Sequence, residues 1–318
     1  MKLLDIFRNW TLPISMSIGI GSYFLLANAD IAKPFHPMLL SALDLLQPVL
    51  IFSMLFISFC KVRPSQIRLS AWQWKILAIQ CGTFLLMGGI LALMPQAEWR
   101  ILVEACMLCF ICPAATAAIV VTGKLGGNTG TVTSYTILGN LSAAVLVPLM
   151  IPIINPQNNV PFGENFLQII GRIFPLLFCP FFCAMCLQKI WPRAVDCIVR
   201  IKDLAFYIWT FALAIAMGIT TKSLVHSPYP LVYELGIALV SLLACFLQFY
   251  AGKKIGTKYG ESLSAAQSAG QKNTIFAIWM GYTFLTPVTS LAGGFYSIWH
   301  NIYNSYQLYQ KQKSQRYK

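Results

Sequence analysis

The chain has 318 residues, 57% of them hydrophobic and only 10% charged, with a mean hydropathy of +0.66. Soluble domains carry about 25% charge, so this composition excludes an ordinary soluble globular protein. The 23 Lys and Arg against 10 Asp and Glu leave a net charge of +13, but the basic residues form no long run interleaved with aromatics, which excludes a nucleic-acid partner.

A membrane-crossing helix takes about 20 apolar residues. Ten apolar segments can be marked in chain order: 10–28, 39–60, 75–94, 101–122, 131–154, 166–188, 204–221, 230–250, 261–286 and 287–309. They predict an all-α membrane protein of ten spans with little room for a soluble domain. The first segment follows Lys2 and Arg8 and ends in Ala27-Asn28-Ala29, which looks like a secretory signal. It is kept as a span, because cleavage would leave nine segments and destroy the charge asymmetry that follows. The ninth and tenth are divided only by Pro287.

With a cytoplasmic amino terminus, the outer loops hold only Lys33, Arg100 and Lys222, while Arg172 and Lys272 fall within spans. The other 18 of the 23 basic residues lie on inner loops and tails. Cytoplasmic loops concentrate Lys and Arg, so both termini are expected inside. The polar stretch 155–165 divides residues 1–154 from 166–318, five segments to each side. An odd number per half makes any relation between the halves an inverted-topology repeat.

Two segments are interrupted. The fourth contains Cys112-Pro113-Ala114-Ala115-Thr116-Ala117-Ala118, where the proline removes a backbone donor. The ninth contains the polar run from Ser264 to Thr274, with Gly270 and Lys272 inside it. Each is the fourth segment of its half, and paired interruptions in corresponding helices mark a transporter binding site.

Other features carry blander expectations. The ten cysteines lie almost all in apolar runs and read as buried thiols, without the paired spacing of a metal site. Asp44, Glu104 and Glu234 fall near outer ends of spans and are expected at the headgroups. Arg172 either attracts an entering anion or snorkels to the interface. No Gly-x-Ser-x-Gly, His-Glu-x-x-His or paired-aspartate motif lies in the spans, so no enzyme is expected.

At the two breaks the chain resembles the bile acid:sodium symporter family and its bacterial relatives, and the likeness runs over essentially its whole length. Cys112-Pro113-Ala114-Ala115-Thr116 is similar to the family's Cys-Pro-Gly-Gly-Thr, and Gly270-Gln271-Lys272-Asn273-Thr274 to its Gly-Met-Gln-Asn-Ser. Gln80 in the third span matches, and Phe295-Tyr296-Ser297-Ile298-Trp299-His300-Asn301 resembles Phe-Ser-x-Trp-His-Asn of the last span. The resemblance implies ten helices in two inverted five-helix repeats, a panel and a core domain, and broken helices 4 and 9 crossing in the core. It implies transport of a small organic anion, usually with sodium, across a bacterial-type cell membrane.

The chain departs from the family at the sodium sites. Ala118 and Ile119 stand where the family has a Ser-Asn pair, Val132 replaces a serine, Ser268 a glutamate and Lys272 a glutamine. Gln80 and Thr136 remain, too few oxygen ligands for a hard cation. Lys272 is therefore expected to fill the cation's place, donating to Gln80 and to unwound carbonyls. It would couple transport to protons by releasing its own, or pair with a substrate carboxylate. Lys272, Asn273, Gln271, Ser268, Thr116, Thr136 and Gln80 form the expected substrate or ion site, with no cofactor and no catalytic residue. Trp299, His300 and Asn301 are expected to be packing. The apolar first, second, sixth and seventh segments favour an amphipathic anion. A sodium symporter with a divergent site, or a sensor or channel on this fold, are the competing readings.

Overall fold

The computed structural model describes residues 3–28, 36–62, 67–156, 160–201 and 204–316. Lys2, Lys33, Arg63, Lys202 and Lys318 lie outside the described residues, as do the side chains of Arg8, Asp44 and Arg316. The described chain is wholly helical apart from one isolated backbone bridge. Its fourteen helices are α1 (Leu3–Asn28), α2 (His36–Cys60), α3 (Ala71–Leu93), α4 (Arg100–Ile111), α5 (Ala117–Leu125), α6 (Thr129–Ile154), α7 (Phe162–Leu177), α8 (Cys179–Ile190), α9 (Pro192–Arg200), α10 (Leu204–Val225), α11 (Leu231–Thr257), α12 (Ser262–Gly270), α13 (Thr274–Phe284) and α14 (Ser290–Arg316).

Each apolar segment falls on one helix or one helix pair. Among the described residues five helices are long and apolar enough to cross a membrane, and a sixth span results if α7 and α8, bent by 42°, are counted together. At 1.5 Å per residue the 12 residues of α4 and the nine of α5 or α12 each cover well under the roughly 30 Å of a bilayer core. The bend between α7 and α8 was not foreseen within the sixth segment. It falls at Phe178, flanked by Pro175 and Pro180, and proline in a helix interior removes a backbone bond and clashes with the preceding turn.

Long helices approach closely where side chains are small. A Cβ on Gly19 of α1 would lie 2.2 Å from the carbonyl oxygen of Ala214 on α10, so only glycine permits this contact. Outward-facing Leu25, Leu86, Leu235 and Phe246 are exposed, the pattern of helices bathed in lipid rather than water.

Two expectations change here. Glu104 is not at a headgroup surface: it is 1% exposed and accepts from Arg100 Nε at 2.8 Å, from the Thr286 amide at 3.1 Å and from Thr289 Oγ1 at 2.9 Å. The carboxylate thereby satisfies the turn between α13 and α14, where the 3-10 turn Pro287–Thr289 leaves amides free. The thiols are also mixed. Cys60, Cys109, Cys112 and Cys245 are buried, but Cys183, Cys186 and Cys197 are exposed on α8 and α9.

Candidate functional site at the crossing of two broken helices

The two interruptions meet. At the first, Pro113 has no N–H to continue α4, and the chain leaves the helix around Ala114 before Thr116 turns back to helical geometry at the start of α5. At the second the gap is only Gln271–Asn273. The polar residues Ser264 to Ala269 remain helical and wholly buried, so the break is shorter than the polar run that announced it. Gly270 closes α12 beneath the ring of Phe249, where a Cβ would come within 2.3 Å of ring carbon.

The extended segments pair antiparallel at Ala114 and Lys272. The Ala115 amide donates to Gln271 O at 2.8 Å and the Asn273 amide to Pro113 O at 2.9 Å, so each break satisfies the other's backbone. Cys112 Sγ donates to Asn273 O at 2.9 Å. Asn273 starts α13 by accepting from the Phe276 amide at 3.3 Å, a side-chain cap. Gly139 of α6 packs against Pro113 and Ala114, which holds the first break from behind.

Lys272 is 2% exposed, and its ammonium donates to Phe110 O, near the end of α4, at 3.4 Å. The expected bond to Gln80 is absent. The Gln80 amide nitrogen donates to Gln248 Oε1 at 2.8 Å and to Ala269 O at 3.2 Å, and its oxygen accepts from the Tyr135 hydroxyl. Both ends of the amide are thus engaged, which leaves the lysine a carbonyl as partner. That carbonyl belongs to the last turn of α4 and not to the unwound backbone the sequence suggests.

A cavity of about 1140 Å³ runs from this crossing to the loop residues at the ends of α2 and α5. Thr116, Gln271, Lys272 and Asn273 of the expected site line it. Gln80, Thr136 and Ser268 do not: Thr136 is buried and bonds its own helix at Val132 O, and Ser268 is buried within α12. Sequence reasoning missed the rest of the wall. Lys61, Arg68 and Lys124 had been read only as topology signals, and His300 and Asn301, expected to be packing, line the cavity together with Asn304. Trp299 is the packing residue of that motif, its indole donating to Ser241 Oγ at 3.1 Å.

Among the described residues the wall carries four cationic side chains, Lys61, Arg68, Lys124 and Lys272, and no carboxylate. Three of its buried polar atoms, Gln271 Oε1, His300 Nδ1 and Asn304 Nδ2, have no protein partner. Buried polar atoms are nearly always paired, so these are positions where water or a ligand completes the bonding. The chamber is thus net positive and partly apolar, with buried donors and acceptors left free.

The same residues do not fit a sodium cage. Ala118, Ile119 and Val132 offer no side-chain oxygen, the Gln80 oxygen is engaged by Tyr135, and an ammonium stands at the break. Hard cations need several oxygens at once.

Comparison with proteins of curated function returns no match. A family model does match, over residues 18–309, and its description is the SBF-like CPA transporter family (DUF4137), transporters related to the bile acid:sodium symporters. That span takes in every helix described above at least in part, including both breaks and the cavity wall. An integral membrane protein built around two crossing helix breaks, the chain belongs to the SBF-like CPA transporter family.

Proposed function

We propose that the protein is a secondary transporter of a small or amphipathic organic anion that works by alternating access without bound sodium. The observation that carries this reading is the cavity, which ends at the crossing and is lined by four cations and no acid among the described residues. The anion enters past Lys61, Arg68 and Lys124, whose field raises its local concentration. It then meets Thr116, Gln271 and Asn273 at the break, where Asn304 Nδ2 is free to donate to its acceptor oxygens and Gln271 Oε1 to accept from any hydroxyl or N–H the substrate carries.

In this reading α4 with α5, α7 with α8, and α12 with α13 each make one span. The chain then has ten spans in two inverted five-helix repeats, with panel and core domains moving against each other. Both termini face the cytoplasm, the side to which the cavity opens, in a bacterial-type cell membrane. At the opposite end, Lys222 of α10 lies 3.4 Å from the Tyr282 hydroxyl of α13, and Ser223 bonds Ser290 at 3.2 Å. Those contacts close that side and part when the protein opens outward.

Lys272 stands where a coupling cation would sit. Its ammonium meets the negative end of α4, and loss of its proton during the cycle couples the anion to protons. The test is counterflow of organic anions in proteoliposomes across a pH series, in sodium and in potassium. Saturable flux in both salts, with a pH profile that Lys272→Gln flattens, supports the reading; flux that requires sodium, or a profile unchanged by the substitution, sinks it.

A further inference from the structure

The polar side chains behind the crossing share one kind of target. Helices α4 and α12 both end inside the protein, and the last carbonyls of a helix have no following turn to bond. Gln248 of α11 donates to Cys109 O at 3.2 Å and Lys272 to Phe110 O at 3.4 Å, both at the end of α4. Gln80 donates to Ala269 O at 3.2 Å and the Tyr296 hydroxyl to Gly270 O at 2.9 Å, both at the end of α12.

These donors are also joined to one another. Gln80 Nε2 donates to Gln248 Oε1 at 2.8 Å, Gln248 Nε2 lies 3.2 Å from the Tyr296 hydroxyl, and Tyr135 donates to Gln80 Oε1. Every member is at most 5% exposed. Two converging helix ends concentrate negative potential, and in broken-helix transporters such ends coordinate cations. Here four of the carbonyls are met instead by N–H and O–H groups, only one of which carries a charge.

We propose that Gln248 and Tyr296 are positioning residues that, together with Gln80 and Lys272, cap the inward carbonyls of α4 and α12 and so hold the crossing assembled with no bound cation. The proposal rests on the reading of Lys272 given above and deepens it. One ammonium reaches one carbonyl, and the other three need donors that the protein itself supplies.

The experiment melts purified full-length wild type, Gln248→Ala and Tyr296→Phe in sodium chloride and in choline chloride at equal ionic strength. Wild type is expected to melt at the same temperature in both salts. Each variant is expected to melt lower by about 3 °C in choline and to regain at least half of that loss in sodium, as a hard cation takes up the freed carbonyl oxygens. Equal losses in both salts, the signature of plain packing damage, overturn the proposal, and so does the absence of any loss. Tyr296→Phe keeps the ring and removes a single O–H, so it decides the matter if Gln248→Ala does not fold. A wild type that itself melts higher in sodium overturns the Lys272 reading and this proposal with it, and it shows without any substitution.

Discussion

The two helix breaks reach one geometry by different means. The first is built from small apolar residues and a proline, and its device is subtraction: Pro113 lacks an N–H, so the helix stops for want of a donor. The second contains no proline. It stops because Gly270 admits the Phe249 ring, Asn273 caps the next helix, and Gln271 and Lys272 find partners across the gap. Neither break is stable alone, since each supplies the backbone bonds that the other lacks. What differs is chemistry: the first break contributes shape, whereas the second contributes the only charge and most of the polar side chains at the crossing.

That contrast predicts an order of effects. The largest falls on Lys272, because removing it leaves Phe110 O buried without its donor and takes the one charge from the crossing. In Lys272→Gln, stabilisation by organic anions should drop at least about a hundredfold in apparent affinity, roughly 2.7 kcal/mol, measured by titrated melting curves. An affinity within twofold of wild type would mean that the second break does not supply the charge the anion reads.

Next comes the backbone pairing. Ala115→Pro removes the donor to Gln271 O and should cost about 2 kcal/mol, since a buried carbonyl is orphaned. Val120→Ala, on an exposed face of α5, should cost less than about 0.5 kcal/mol. Equal stabilities for the two variants would show that the breaks do not lean on each other.

Smaller still is the difference between the two helix starts. Asn273→Ala should cost about 1 kcal/mol, because its side chain caps α13. Thr116→Val should stay within about 0.5 kcal/mol, because Thr116 makes no cap bond at the start of α5. Denaturation of the two variants side by side in detergent would show it. A larger loss for Thr116→Val would reverse the asymmetry.

The smallest effect belongs to the cavity mouth. Lys124→Ala or Lys61→Ala should weaken anion binding by about two- to threefold, and less as salt is raised, since exposed charges are screened. A salt-independent loss would point to direct contact with the anion instead.

The helix segments, both breaks and the position of Lys272 were legible in the sequence, because apolar length, proline and a charge inside an apolar run are local signals. The partners were not. Gln80 could be picked out through the resemblance, but its bonds to Gln248, Tyr135 and Ala269 join residues from 55 to 189 positions apart. Nothing local in α11 or α14 distinguishes Gln248 or Tyr296 from an ordinary interhelical contact. Glu104 was misjudged for the same reason: its place near a segment end suggested exposure, and only the fold shows Arg100, Thr286 and Thr289 closing over it. Lys61 follows α2 in a loop and Lys124 sits in the last turn of α5 rather than in a loop, and whether such a lysine borders a cavity depends on how the helices around it are rotated.

The most direct measurement is the melting shift of the purified protein against a panel of organic anions, from short carboxylates to amphipathic ones, each in sodium and in potassium at matched ionic strength. A ligand that binds the folded state raises its stability in proportion to the logarithm of its concentration over Kd. A lysine-centred crossing predicts that at least one anion stabilises the protein equally in both salts. Stabilisation in sodium alone would contradict it and return the protein to the ordinary sodium symporters.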